Sequence, residues 1–410
     1  MRKLTKGMLV AALSACATAY AQSGPYSLGV TQTFGHTDNV RNAPDGTPSE
    51  SDTYSTTVLA VGLDQPISRQ RLFADASASY TRYRDADSLD NTGYNLQLGL
   101  DWATVNRLSG SLVAGASQRL SQLNPGAAAL PSRRNLERNR TFDATGRLGG
   151  DGRLALEATF GHRNVDFSAS EFTSREYEQN RVSGGLVYRA GGALTLSTGL
   201  SGQRTRYPRF VQLSPGLFDS ERSKRRDVYV GANWTPTGAS VIDARLSHAK
   251  VEFDTASIND FSGVTGLLTW QWRPTGKLQF TTTLSRDTGQ ETGFIAVPDD
   301  GVEPAPGEPT TSAADFSRIT NALRLRARYE LTAKVVVDAD AGYSRRDLGD
   351  PVSGGADDST RRFGLGAVWS ATRTVSFGCS AGRESRSSSS VLSSEYTTNT
   401  FACFGRLALN

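Results

Sequence analysis

The stretch Tyr94-Asn95-Leu96-Gln97-Leu98-Gly99-Leu100-Asp101-Trp102 decides how the rest of the chain is read. Every even position is apolar or aromatic, and every odd position is polar or glycine. Successive side chains of an extended strand point to opposite faces, so one face suits hydrocarbon and the other suits water. The pattern recurs where Leu154, Leu156, Ala158 and Phe160 alternate with Ala155, Glu157, Thr159 and Gly161. It recurs again where Val335, Val337, Ala339, Ala341 and Tyr343 alternate with Val336, Asp338, Asp340 and Gly342.

Extended in both directions, this period of two predicts strands near 26–37, 52–64, 70–83, 92–103, 108–121, 139–149, 153–166, 177–189 and 194–206. The second half adds 224–235, 240–253, 261–273, 277–288, 318–330, 334–346, 359–370, 374–386 and 396–409. Eighteen is an even number, as bacterial single-chain barrels have. The expected fold is therefore all-β, a transmembrane outer-membrane β-barrel of about eighteen antiparallel strands. Short turns at 103–107, 149–152, 189–193, 236–239, 273–276, 330–333 and 370–373 alternate with longer loops around 122–138, 207–223, 289–317 and 347–358. Barrels show this asymmetry, with short periplasmic turns and longer extracellular loops.

Trp102, Tyr188, Trp234, Trp272, Tyr329 and Trp369 each close a strand just before a short turn. The local sequences are related: Trp234-Thr235-Pro236-Thr237-Gly238, Trp272-Arg273-Pro274-Thr275-Gly276 and Trp369-Ser370-Ala371-Thr372-Arg373. Amphipathic rings settle at headgroup level, so this row is the expected periplasmic aromatic girdle. The chain ends Leu407-Ala408-Leu409-Asn410 rather than in the customary aromatic, although Phe401, Cys403, Leu407 and Leu409 keep the period.

The N-terminus predicts export. Arg2, Lys3 and Lys6 precede a short apolar run from Met8 to Ala19, and Ala19-Tyr20-Ala21 supplies the small-x-small cleavage pattern. Residues 1–21 are thus expected to be a signal peptide and 22–410 a single barrel domain. Leu13-Ser14-Ala15-Cys16 also fits a lipoprotein box, and plain cleavage before Gln22 is the preferred reading. The segment carries three of the 45 bases and no acid, which leaves 42 bases against 41 acids. The basic sequence pI therefore gives no reason to expect a nucleic-acid partner. No later apolar stretch is long enough for a membrane-spanning helix.

Catalytic material is sparse. The three histidines are His36, His162 and His248, and none stands in a recognisable nucleophile–base–acid arrangement. No phosphate loop or metal-ligand cluster is seen, so no enzyme, cofactor or metal is expected. Charge gathers instead on the inward phase, at Asp101, Glu157, Arg163, Asp243, Arg245, Arg324, Arg326, Arg328, Asp338 and Asp340. Such charges are costly in lipid and cheap in a wet lumen. Arg324, Arg326 and Arg328 are expected to pair with Asp338 and Asp340, either as a stiffening ladder or as a solute-selecting site.

Cys379 and Cys403 lie symmetrically about the last hairpin on one lipid-facing phase. They read equally as a cross-strand disulfide or as two small apolar residues. The loop at 289–317 holds Glu291, Asp299, Asp300, Glu303, Glu308 and Asp315 with no Lys or Arg. The segment 206–226 instead mixes Arg206, Tyr207, Arg209, Phe210, Lys224, Arg225 and Arg226, which suits an acidic sugar or lipopolysaccharide phosphates.

Several short motifs resemble the β-barrel porin 2 family, and within it the EpsL-like outer-membrane proteins of exopolysaccharide operons. They are Asp38-Asn39-Val40, Ser51-Asp52, Ser68-Arg69-Gln70-Arg71, Tyr80-Thr81-Arg82-Tyr83, Trp102 with Arg107-Leu108-Ser109-Gly110, and Trp272-Arg273-Pro274-Thr275-Gly276-Lys277, with the final Trp369 hairpin. The resemblance implies a pore through which an exopolysaccharide leaves the cell, beside a periplasmic polysaccharide-export protein and among outer-membrane lipids and lipopolysaccharide. A general or solute-specific uptake porin and a non-conducting structural barrel are the alternatives.

Overall fold

The computed structural model describes residues 24–105, 107–121, 134–149, 152–214, 216–257, 260–288, 319–347, 357–389 and 394–409. The signal peptide, its cleavage site and the acidic loop at 289–317 lie outside the described residues. The first nine strands are β1 (Tyr26–Thr37), β2 (Asp52–Ile67), β3 (Gln70–Tyr83), β4 (Asn91–Ala103), β5 (Leu108–Leu120), β6 (Leu136–Leu148), β7 (Leu154–Phe167), β8 (Tyr177–Gly191) and β9 (Leu194–Ser214). Nine more follow: β10 (Leu217–Thr237), β11 (Ser240–Phe253), β12 (Phe261–Thr275), β13 (Leu278–Asp287), β14 (Ile319–Thr332), β15 (Val335–Asp347), β16 (Asp357–Ser370), β17 (Val375–Ser388) and β18 (Tyr396–Leu409).

Each strand pairs antiparallel with its sequence neighbours, and β1 also pairs with β18 from Leu28↔Leu409 to Thr37↔Thr400. The sheet is therefore a closed eighteen-stranded barrel with no free edge. Closure is what lipid demands, because an unpaired backbone amide in hydrocarbon costs several kcal/mol, on the order of a full desolvation penalty. The alternation that predicted the strands now sorts outside from inside. Leu96, Leu98, Leu154, Leu156, Phe363 and Leu365 are exposed on the outer wall, where lipid covers them. The chain is an outer-membrane β-barrel.

The closing seam explains the Asp38-Asn39 motif. Asp38 accepts hydrogen bonds from the backbone amide and the Nδ2 of Asn399, at 2.7 and 2.6 Å. Asn39 Nδ2 donates to the carbonyls of Ala43 and Thr397, at 3.0 and 3.2 Å. The pair fastens the first long connection to the start of the last strand. Asp52 plays a related part, accepting from the backbone amides of Arg84, Asp85 and Ala86 beyond the end of β3.

One expected loop is largely strand. The segment 207–223, read as an extracellular loop, continues β9 and β10 into a hairpin of two 21-residue strands, with register shifts at Leu217/Phe218 and Asp219/Glu221. The mixed cationic and aromatic cluster expected there is therefore divided by the pleat. Arg206, Lys224 and Arg226 are exposed on the outside, whereas Tyr207 and Arg225 are buried inside. Tyr207 joins Val165, Phe167 and Tyr177 in a small inward core at the long-loop end, against which Phe172, Phe210 and Phe253 pack.

Candidate functional site: the inner wall

The inward phase carries the charged residues picked out from the sequence. It divides into local groups around the ring rather than one constellation. Asp101 on β4 stands 3.3 Å from Arg71, which also donates to Asp64 through Nε and Nη2 at 2.8 and 2.7 Å. Glu157 on β7 accepts from Arg147 of β6, its direct cross-strand partner. Arg163 is buried and donates through Nε to Asn139 Oδ1 at 3.0 Å. On β11, Asp243 accepts from Asn233 Nδ2 at 2.5 Å, and the Arg245 guanidinium lies 4.1 Å over the Tyr229 ring. That last contact is a cation–π arrangement.

The arginine row sits where the period of two predicts. Arg326 and Arg328 lie directly opposite Asp340 and Asp338, and Arg324 lies opposite Gly342. Arg328 Nη1 is 3.8 Å from Asp338 Oδ1. The carboxylate of Asp340 leans over Gly364 on β16, where an added Cβ would collide with Oδ1. Glycine at this position is what allows the side chain to lie flat against the wall. Continuing round the ring, Arg346 pairs with Asp358, and Arg362 donates to Glu384 at 2.7 Å. Glu384 also accepts from the Tyr396 hydroxyl, and Arg386 lies over the Tyr396 ring at 5.2 Å.

Two features escaped the sequence reading. The first is a buried network centred on Arg225, which donates to Asp227, to Asp287 at 2.9 Å and to Thr288 at 2.8 Å. Strand phase alone could have placed Arg225 inward. Its partners, 62 and 63 residues away in sequence, could not be foreseen. The second is an acid clamp at Glu221, which accepts from the backbone amides of Thr255 and Ala256 as Asp52 does beyond β3.

On the outer wall, Trp102, Tyr188, Trp234, Trp272, Tyr329 and Trp369 all lie on the outward phase at the short-turn end. Trp272 stacks between Trp270 and Phe280, with both centroid distances 5.6 Å. Cys379 and Cys403 face each other across β17 and β18 and are joined by a disulfide. Among the described residues no cluster of His, Cys, Asp or Glu could hold a metal ion.

No protein-family model matches the chain. No curated protein matches it either. The resemblance to EpsL-like proteins therefore carries no further than the barrel. Solved structures do match over almost the whole length. OpdO of Pseudomonas aeruginosa is 15% identical with a TM-score of 0.50, covering 94% of this chain and 97% of that one. The outer membrane protein opdK of the same organism is 13% identical with a TM-score of 0.50, covering 94% of this chain and 99% of that one. At such identities the likeness concerns architecture, and the architecture is that of a β-barrel porin.

Proposed function

We propose that the barrel is a passive pore for small water-soluble solutes. The observation that carries this reading is the unequal filling of the lumen. On β8–β12 the inward residues Gln179, Gln203, Arg225, Asp227 and Thr265 are buried, so packed side chains thicken that side of the wall. On β4 and β14 the inward residues Asn95, Gln97 and Arg324 stand exposed. A path narrowed on one flank and lined with fixed charges of both signs on the other suits solutes that exchange hydration water for brief side-chain contacts. Exopolysaccharide exit rests on the short-motif resemblance alone, and the likeness to OpdO and opdK favours a porin. Such passage requires no nucleophile, and we assign no catalytic role to any residue.

The test is reconstitution of the mature barrel in planar bilayers and in liposomes. We expect steady conductance, and liposome swelling that falls as sugars and amino acids increase in size. A silent bilayer would point to a structural barrel. Loss of surface polysaccharide in a clean deletion strain, restored by the gene, would put the export reading in its place.

A further inference from the structure

The outer wall of β9–β13 combines two features. The first is shape. Small outward residues at Ala232, Ala244 and Gly266 lie among Val230, Leu246 and Leu284, and together they form an apolar groove of about 520 Å³. The groove lies on the loop side of the aromatic girdle at Trp234, Trp270 and Trp272. The second is charge. Further along the same strands toward the long loops, the outward phase changes from aliphatic to basic at Arg204, Arg206, Arg222, Lys224, Arg226 and Lys250. From Ala232 to Arg226 along β10 is roughly 20 Å at the ~3.4 Å rise of a strand, about the depth of one leaflet.

Glu178, Glu252 and Asp254 are acids beside this cluster, and Asp219 is exposed further along β10. Glu178 lies opposite Arg206, Glu252 engages Lys250 at 2.6 Å and Arg226 at 3.9 Å, and Asp254 engages Lys224 at 2.8 Å. Arg204 and Arg222 point outward, exposed and beside other bases. Arg226 keeps 74% of its side chain exposed. An exposed basic cluster above an apolar groove matches a molecule with acyl chains below and more than one negative charge above.

We infer that this face binds one phosphorylated glycolipid of the outer leaflet, with an acyl chain in the groove and its phosphates on Arg204, Arg222 and Arg226. The mature barrel, purified in mild detergent, is tested by native mass spectrometry with three probes. These are bis-phosphorylated lipid A, its dephosphorylated counterpart and phosphatidylglycerol. The expected result is one bis-phosphorylated lipid A per barrel, retained at least tenfold more strongly than either other probe. The combined substitutions Arg204→Gln, Arg222→Gln and Arg226→Gln should lower retention at least tenfold. Ala244→Trp, which fills the groove, should also lower it, while Arg373→Gln on the short-turn side should leave it unchanged. Heat-modifiable gel migration establishes that each variant is folded. Undiminished retention in the triple variant, or equal retention of the dephosphorylated form, overturns the site. Equal retention of phosphatidylglycerol overturns the glycolipid as its occupant.

Discussion

Arg225 and Arg324 both point inward from long strands on the same side of the pleat rule, yet their surroundings are opposite. Arg225 is 1% exposed and held by Asp227, Asp287, Thr288 and Thr265, whereas Arg324 is exposed to the lumen. The first arc of the wall, β8–β13, is built like a protein interior, whereas the second, from β14 to β18, mixes exposed positions such as Arg324 with buried ones at Arg346, Asp358 and Tyr396. The same residue type can stiffen a barrel or face its contents, depending on whether neighbouring side chains cover it. A buried ion pair broken on one side strands its partner, while an exposed one releases its partner to water.

The largest expected effect follows on the first arc. Arg225→Met leaves Asp227 and Asp287 buried without their cation, a loss on the order of 3–5 kcal/mol. We expect a clear fall in the urea midpoint of the detergent-solubilised barrel. Adding Asp227→Asn and Asp287→Asn should recover much of it. An unchanged midpoint in Arg225→Met would show that the arc is wet, and the contrast between the two arcs would disappear.

The second arc is tied from the lipid side instead. Cys379 and Cys403 close a loop of 24 residues, and such a crosslink is worth about 2–4 kcal/mol through the unfolded chain. Replacing both by Ser should lower the unfolding midpoint by less than Arg225→Met does, and the wild type under reducing conditions should behave like the variant. If reduction leaves the midpoint unmoved, the β17–β18 hairpin is held by its ladder alone.

This contrast also marks what could be read from sequence. Eighteen strands were legible because each divides two solvents, so leucine against glutamine along 94–102 is a high-contrast signal. That contrast ends above the membrane. Past Arg206 the run Tyr207-Pro208-Arg209-Phe210 breaks the alternation and carries a proline, so the upper part of the β9–β10 hairpin reads as a loop. Inward charge at Arg324, Arg326, Arg328, Asp338 and Asp340 could be read for the same reason as the strands. Burial of Arg225 could not, because it depends on Thr265 of β12, Asp287 of β13 and Thr288, brought over β10 by the curvature of the wall. The Asp52 and Glu221 clamps were hidden likewise, each reaching a connection more than thirty residues downstream.

A smaller effect on stability is expected from the arginine row. Arg324→Gln, Arg326→Gln and Arg328→Gln together should shift the unfolding midpoint less than Arg225→Met does, since Arg324 is exposed and Arg328 and Asp338 keep 20% and 27% of their side chains exposed against 1% and 2% at Arg225 and Asp227. Ion preference should respond more strongly. With Asp338 and Asp340 left without opposing cations, reversal potentials in a salt gradient should move toward cation selectivity. Unchanged selectivity with a large loss of stability would make this arc a second packed interior.

The smallest expected effect lies at the seam where β1 meets β18. Burial works to raise the Asp38 pKa, but the two hydrogen bonds from Asn399 and the charge of His36 outweigh it, and the carboxyl is held below its ordinary value. A carboxylate whose folded pKa is depressed contributes stability above the unfolded value, and the contribution fades as pH falls through the folded one. The seam should therefore be tight at neutral pH and loosen only under acid, below the usual aspartate range. Hydrogen exchange at the Asn399 amide, followed from pH 6 down to about pH 3, reads this directly. Asp38→Asn should show faster exchange throughout, with the pH-dependent part removed. Because Asn39 and the Thr37–Thr398 hydroxyl contact still cross the same seam, the barrel should stay closed in the variant. If Asn399 exchange in the wild type shows no acid-dependent rise beyond that of Asp38→Asn, the seam is held by those neutral bonds and the carboxylate is dispensable.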